Sequence, residues 1–116
     1  MKTVLVVDDD QGIRDTVKAI IEKAGYRVVL GIDGDDCLRK VESEKPDLIL
    51  LDIQMPGTPV RKIVRQVHKI KVIYLTGMQE SDAEKLGLLD SENVVGFVKK
   101  TFNVADLIRT VKEILD

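Results

Sequence analysis

The sequence predicts an α/β fold in which a parallel sheet is covered by helices on both faces. Three observations carry this. Short runs rich in aliphatic and β-branched residues recur along the chain, stripes of helical period fall between them, and the two kinds of segment alternate throughout. Alternation of this kind requires right-handed crossovers, and those place helices on both sides of a parallel sheet. A length of 116 residues suits one such domain and is short for two.

Four runs read as strands buried on both faces: Val4 to Val7, Leu48 to Leu51, Val72 to Leu75 and Val94 to Val98. A weaker one, Arg27 to Leu30, follows Gly25 and Tyr26. Between them, Ile13, Val17, Ile20, Ile21 and Ala24 share one helical face, and so do Val60, Ile63, Val64 and Val67. The last stripe joins Val104, Leu107, Ile108, Val111, Ile114 and Leu115, and a shorter one joins Cys37, Leu38 and Val41. Ser81 with Glu84 predicts a capping box opening a helix that carries Ala83 and Leu86. Asn103 is placed to cap the last helix.

Composition narrows the function classes. Hydrophobic residues make up 44% and aromatics only 3%, so the core is aliphatic and needs neither disulfide nor structural metal. A net charge of −2 provides no global field for gripping nucleic acid or an anionic membrane. No apolar run exceeds four residues, which excludes a membrane-spanning helix. The strand-like start leaves no room for a signal peptide, and the lone Cys37 fits a reducing cytoplasm.

Ligands of an open parallel sheet bind outside the carboxyl ends of its strands. The first strand runs into Asp8, Asp9 and Asp10, the third into Asp52, the fourth into Thr76 and the fifth into Lys99 and Lys100. Carboxylates roughly 5 Å apart repel by about 3 kcal/mol per pair at an effective dielectric near 20. A hard divalent cation such as Mg²⁺ relieves that repulsion, whereas one His and one Cys do not make a zinc site. Lys100 and the Thr76 hydroxyl are placed to hold oxygens of a phosphoryl group. Spacing alone leaves a nucleophile site and a plain metal site both open.

The chain resembles the receiver domain of two-component response regulators over nearly its whole length. The resemblance rests on Val6-Val7-Asp8-Asp9-Asp10, on Leu50-Leu51-Asp52-Ile53-Gln54-Met55-Pro56-Gly57, on Tyr74-Leu75-Thr76-Gly77 and on Phe97-Val98-Lys99-Lys100-Thr101-Phe102. It implies a flavodoxin-like (βα)5 sandwich with strand order 2-1-3-4-5, spanning residues 1–116 as one domain. By the resemblance Asp52 is the phosphoacceptor, supplied by a sensor histidine kinase or phosphotransfer protein. Asp9, Asp52 and the backbone carbonyl of Gln54 would ligate Mg²⁺, with Asp8 helping through water. Thr76 and Lys100 would hold the phosphoryl group, and Phe97 would be the switch aromatic; the bland reading of Phe97 is a ring packed on the last helix. Gln54 and Met78 would flank the path of attacking water, which implies slow to moderate self-dephosphorylation. Such a protein is a signalling switch, not an enzyme acting on other substrates. Its effector is unspecified, and a phosphorylation-dependent homodimer through the fourth and fifth helices stays open.

Two departures from the family pattern stand out. Lys100-Thr101-Phe102 replaces the usual Lys-Pro-Phe, so the joint is either trans with a reshaped loop or a strained cis bond. The segment after Gly57 is short, and Thr58-Pro59 reads as a cap followed by the first helical residue. Two other functions compete: a haloacid-dehalogenase-like phosphohydrolase using Asp8 and Asp10, and a receiver acting without phosphorylation as an interaction module. The first lacks a second acidic pair and gives Asp52 no role. A DNA-binding regulator is disfavoured because nothing follows the fifth helix. Asp10 reads as a solvated helix-start acid, His68 as incidental beside Arg61, Lys62, Arg65 and Lys69, and Cys37 as core.

Overall fold

The computed structural model describes residues 1–116. Its elements run β1 (Thr3–Val7), α1 (Gln11–Lys23), β2 (Arg27–Gly31), α2 (Gly34–Glu44), β3 (Leu48–Leu51), α3 (Val60–Gln66), β4 (Lys71–Thr76), α4 (Glu80–Lys85), β5 (Val94–Lys99) and α5 (Val104–Leu115). The strands form one sheet in the order β2-β1-β3-β4-β5, all parallel. From β1 the chain moves outward to β2, then returns past β1 to β3 and continues the other way. The crevice opened by that reversal lies above the ends of β1 and β3.

Side-chain alternation divides the core between the two faces of the sheet. Leu5, Val7, Ile49, Leu51, Val72 and Tyr74 face one way and pack with Cys37, Ile63, Val64, Ala83 and Leu88 from the α2, α3 and α4 side. Val4, Val6, Leu48, Leu50, Ile73 and Leu75 face the other way and pack with Val17, Ile21, Leu107, Val111 and Leu115 of α1 and α5. β1 and β3 are buried throughout, as are all of β4's residues after Lys71.

β5 departs from the expected two-sided burial: Val95 is exposed and its other residues are half-buried. It is an edge strand, and the six-residue α4 covers little of it. The register also slips there, since Val72 pairs with Val94 but Ile73 with Gly96, leaving Val95 as the extra residue of a bulge.

The helix starts follow the expectations in part. Asp10 caps α1 by accepting from the Ile13 N–H at 3.1 Å, and Asn103 caps α5 by accepting from Asp106 at 2.8 Å. The Ser81–Glu84 capping box does not form. α4 begins two residues earlier than that cap implies, at Glu80, and its start has no side-chain cap. Leu86 is exposed, and Leu88 takes the core position instead. Thr58 does not cap α3 either. Pro59 is the flanking residue, while the Thr58 hydroxyl and N–H both donate to the Asp35 carboxylate at the start of α2. α3 has only seven residues, within the short segment that follows Gly57.

Candidate functional site

Ladder hydrogen bonds continue one residue past the strands and set the positions of the polar residues there. Asp8 N–H donates to Gly31 O at 3.1 Å, Asp52 N–H to Val7 O at 3.0 Å, and Lys100 N–H to Thr76 O at 2.9 Å. Asp8, Asp52 and Thr76 are thereby buried at the sheet edge, with 1%, 3% and 0% of their surface exposed. Asp9, the next residue along, is exposed. The carboxylates of Asp8, Asp9 and Asp52 offer oxygens within 4.8 Å of one another.

The Lys100 ammonium lies 2.9 Å from Asp8 Oδ2 and 3.2 Å from Asp52 Oδ2, and it donates a hydrogen bond to Asp52. Its approach to Asp8 has ion-pair distance without hydrogen-bond alignment, so Asp8 Oδ2 is a buried oxygen with no directed donor. The other oxygens are occupied: Asp8 Oδ1 accepts from the Asp10 N–H at 2.9 Å, and Asp52 Oδ1 from the Gln54 N–H at 3.2 Å. Burial pushes the Asp8 carboxyl above its ordinary value, and the charge of Asp52 adds to this against the pull of Lys100 and the Asp10 N–H. For Lys100 burial acts downward, but its close contacts and charge pairing with Asp8 and Asp52 outweigh it, and its pKa is raised. One ammonium among three carboxylates leaves the cluster net negative. An orphaned buried oxygen within an all-oxygen donor set fits a hard divalent cation.

The remaining predicted residues fall around this cluster. The Thr76 hydroxyl accepts from the Met78 N–H at 3.2 Å. The Gln54 side chain is exposed and Met78 is half-buried. Phe97 pairs in register with Tyr74, and their rings meet edge to face at 6.3 Å. It packs with the α2–α4 side of the core, which corrects the alternative of a ring resting on the last helix. No peptide bond is cis, and a turn from Phe102 N–H to Lys99 O (3.0 Å) shapes the joint. Lys100 reaches both carboxylates all the same.

Other candidates fall away from the site. The Asp10 carboxylate caps α1 and is absent from the cluster, so it is not poised as an acid or base beside Asp8. Cys37 is fully buried, and burial pushes its thiol up to about 12. His68 is exposed in the turn after α3. Two contacts escaped the sequence reading. Arg14 Nη1 donates to the Asp8 carbonyl at 2.7 Å, and the Tyr74 hydroxyl donates to Leu88 O at 2.8 Å. Arg14 carries no sequence signal for this role, whereas Tyr74 stood out as the one aromatic in an aliphatic strand two residues before Thr76.

Comparison with known proteins decides the family. The model of the response regulator receiver domain matches residues 4–112. The chain belongs to the response regulator receiver domain family. This receiver is 34% identical to the alkaline phosphatase synthesis transcriptional regulatory protein PhoP of Bacillus subtilis over 98% of the chain. It spans 48% of that relative's length, about half. Among solved structures it is similar to the response regulator TrrA of Thermotoga maritima in complex with Mg²⁺-BeF, at 32% identity and a TM-score of 0.83 over 98% of this chain and 99% of that one. The CheY-like receiver of Methanospirillum hungatei matches at 30% identity and a TM-score of 0.84, covering 97% and 92%. The receiver is thus part of a two-component signalling system, with the flavodoxin-like order 2-1-3-4-5. No helix is long and apolar enough to cross a membrane.

Proposed function

We propose that residues 1–116 form one cytoplasmic receiver domain that is switched by phosphorylation of Asp52. The observation that carries this reading is the Lys100 ammonium bridging two buried carboxylates, Asp8 and Asp52, of which Asp8 Oδ2 receives the charge but no directed hydrogen bond. A carboxylate oxygen of Asp52 attacks the phosphorus of a phosphohistidine on a sensor kinase or phosphotransfer protein. A P–O bond forms, the P–N bond breaks, and the donor imidazole leaves with its electron pair. Asp9, Asp52 and the Gln54 carbonyl would hold Mg²⁺, with Asp8 acting through water. When bound, the ion offsets charge on the phosphoryl oxygens. The magnesium complex of TrrA, together with this chain's acidic cluster, supports that ion.

Lys100 then pairs with a phosphoryl oxygen in place of the Asp52 carboxylate, and the Thr76 hydroxyl donates to another in place of accepting from Met78. Movement of Thr76 frees space beside Tyr74, into which the Phe97 ring turns. The effector that reads this change, and a homodimer formed through α4 and α5, belong to the same proposal. The test is incubation with a small phosphodonor and Mg²⁺, followed by intact mass. Wild type gains one phosphoryl group and Asp52→Asn gains none. Label that persists in the variant, or that maps to Asp8, overturns the assignment.

A further inference from the structure

A cavity of about 220 Å³ lies between α3 and the segment joining α4 to β5, and it shares no residue with the carboxylate cluster. Arg61 and Arg65 line it from successive turns of α3, with Ser91, Asp90 and Gly87 opposite and Tyr74 in its wall. Arg14, Arg27, Arg39 and Arg109 each hydrogen-bond or ion-pair within the chain. Arg61 and Arg65 do neither, and both line this cavity, Arg65 standing between it and a neighbouring one that holds Glu92. No Asp or Glu occurs between Asp52 and Glu80, so α3 has no neighbour in sequence to neutralise it.

We propose that this cavity binds a small phosphate monoester bearing a free hydroxyl. Two guanidiniums one turn apart present planar donor forks that match the several oxygens of a phosphate, and the Ser91 hydroxyl adds a third donor. Asp90 sets the second requirement. Its carboxylate opposes a bare multivalent anion but accepts from a hydroxyl, which selects an ester over the free ion. Gly87, favoured by its φ of 73°, lies beside both charged groups. A Cβ there would come within 3.1 Å of Arg61 Nη2 and 3.3 Å of Asp90 Oδ2. The volume leaves room for the carbon skeleton beside the phosphate. Because Tyr74 lines the cavity and its ring meets Phe97, occupancy changes the surroundings of that ring pair.

The cavity shares no residue with the acceptor cluster, so the test uses the Asp52→Asn protein, which holds the receiver in its unphosphorylated state. Glycerol 3-phosphate, inorganic phosphate and glycerol are titrated separately by calorimetry. With no Trp present, tyrosine fluorescence provides a second readout, and Tyr26→Phe leaves Tyr74 as its only source. The ester binds with a dissociation constant at or below about 1 mM, phosphate binds more weakly, and glycerol not at all. Arg61→Gln and Arg65→Gln each weaken the ester about tenfold or more, and both positions are exposed, so folding is preserved. Asp90→Asn narrows the difference between ester and phosphate. Lys62→Gln, on the same helix but outside the cavity, leaves affinity unchanged. Absence of heat and fluorescence change up to about 10 mM ester overturns the proposal. So does an equal loss on Lys62→Gln, which would show diffuse attraction in place of a site.

Discussion

Asp8→Asn removes one charge from the most crowded point of the cluster while keeping the shape of the side chain. Its Oδ1 still accepts from the Asp10 N–H, and Lys100 keeps Asp52 as a partner. At the 4.8 Å that bounds the cluster, each carboxylate pair repels by at least about 3.5 kcal/mol at an effective dielectric near 20. Asp8 faces two such neighbours, the exposed Asp9 being the more screened. On the same scale Lys100, at 2.9 Å, attracts it by about 6 kcal/mol. These terms nearly cancel, so the desolvation of a carboxylate with 1% of its surface exposed decides the sign.

The variant is therefore more stable than wild type in the absence of metal, by about 1–2 kcal/mol at pH 7, or about 4–8 °C in Tm. The pH dependence follows from the raised pKa of Asp8. The folded protein holds that proton more tightly than the unfolded chain does, so wild type loses stability as pH rises from 3.8 through the raised value. Above that window the full penalty is present, and below it the gap to the variant closes. Urea unfolding followed by circular dichroism, with a chelator, at pH 7 and at acid pH measures both. A variant less stable than wild type at pH 7, or a gap that stays constant with pH, would refute the reasoning.

Other expectations are tied to single contacts. Tyr74→Phe leaves the buried Leu88 carbonyl without its donor and lowers stability by about 1–2 kcal/mol, read from the urea midpoint at constant m. Cys37 reacts with an aromatic disulfide reagent only at the rate of unfolding, because its thiol is buried and its pKa is pushed up to about 12; fast labelling of the native protein would contradict the packing. Gln54→Leu leaves phosphorylation of Asp52 intact but changes the lifetime of the phosphorylated form, followed by mass against time. An unchanged lifetime removes the amide from the path of attacking water.

Much of this receiver could be read along the chain. Apolar runs as tight as Val4–Val7 and Leu48–Leu51 have no stable place except between neighbours on both sides, so they declare central strands. Because ligands meet a parallel sheet at one end of its strands, the residue after each run became a candidate, which singled out Asp8, Asp52 and Thr76, with Lys99 and Lys100 together after the fifth run. The strand order came from the resemblance, since periodicity does not say which strand lies beside which. Local patterns misled where tertiary packing prevailed. Ser81 and Glu84 have the spacing of a cap, but α4 starts at Glu80 and puts Ala83 and Leu88 into the core.

What only the folded chain decided were relations between residues far apart in sequence. Thr58 turned from a helix cap into a donor to Asp35, and Phe97 found Tyr74 on the α4 side of the sheet. Asp8 Oδ2 became buried against the Lys100 ammonium without a directed hydrogen bond. The sequence by itself determined which polar groups reach the sheet edge, because strand period and strand end are properties of one segment. Their partners, and the oxygens left without any, depended on how separate segments pack, because hydrogen bonds and burial are set by distance in space.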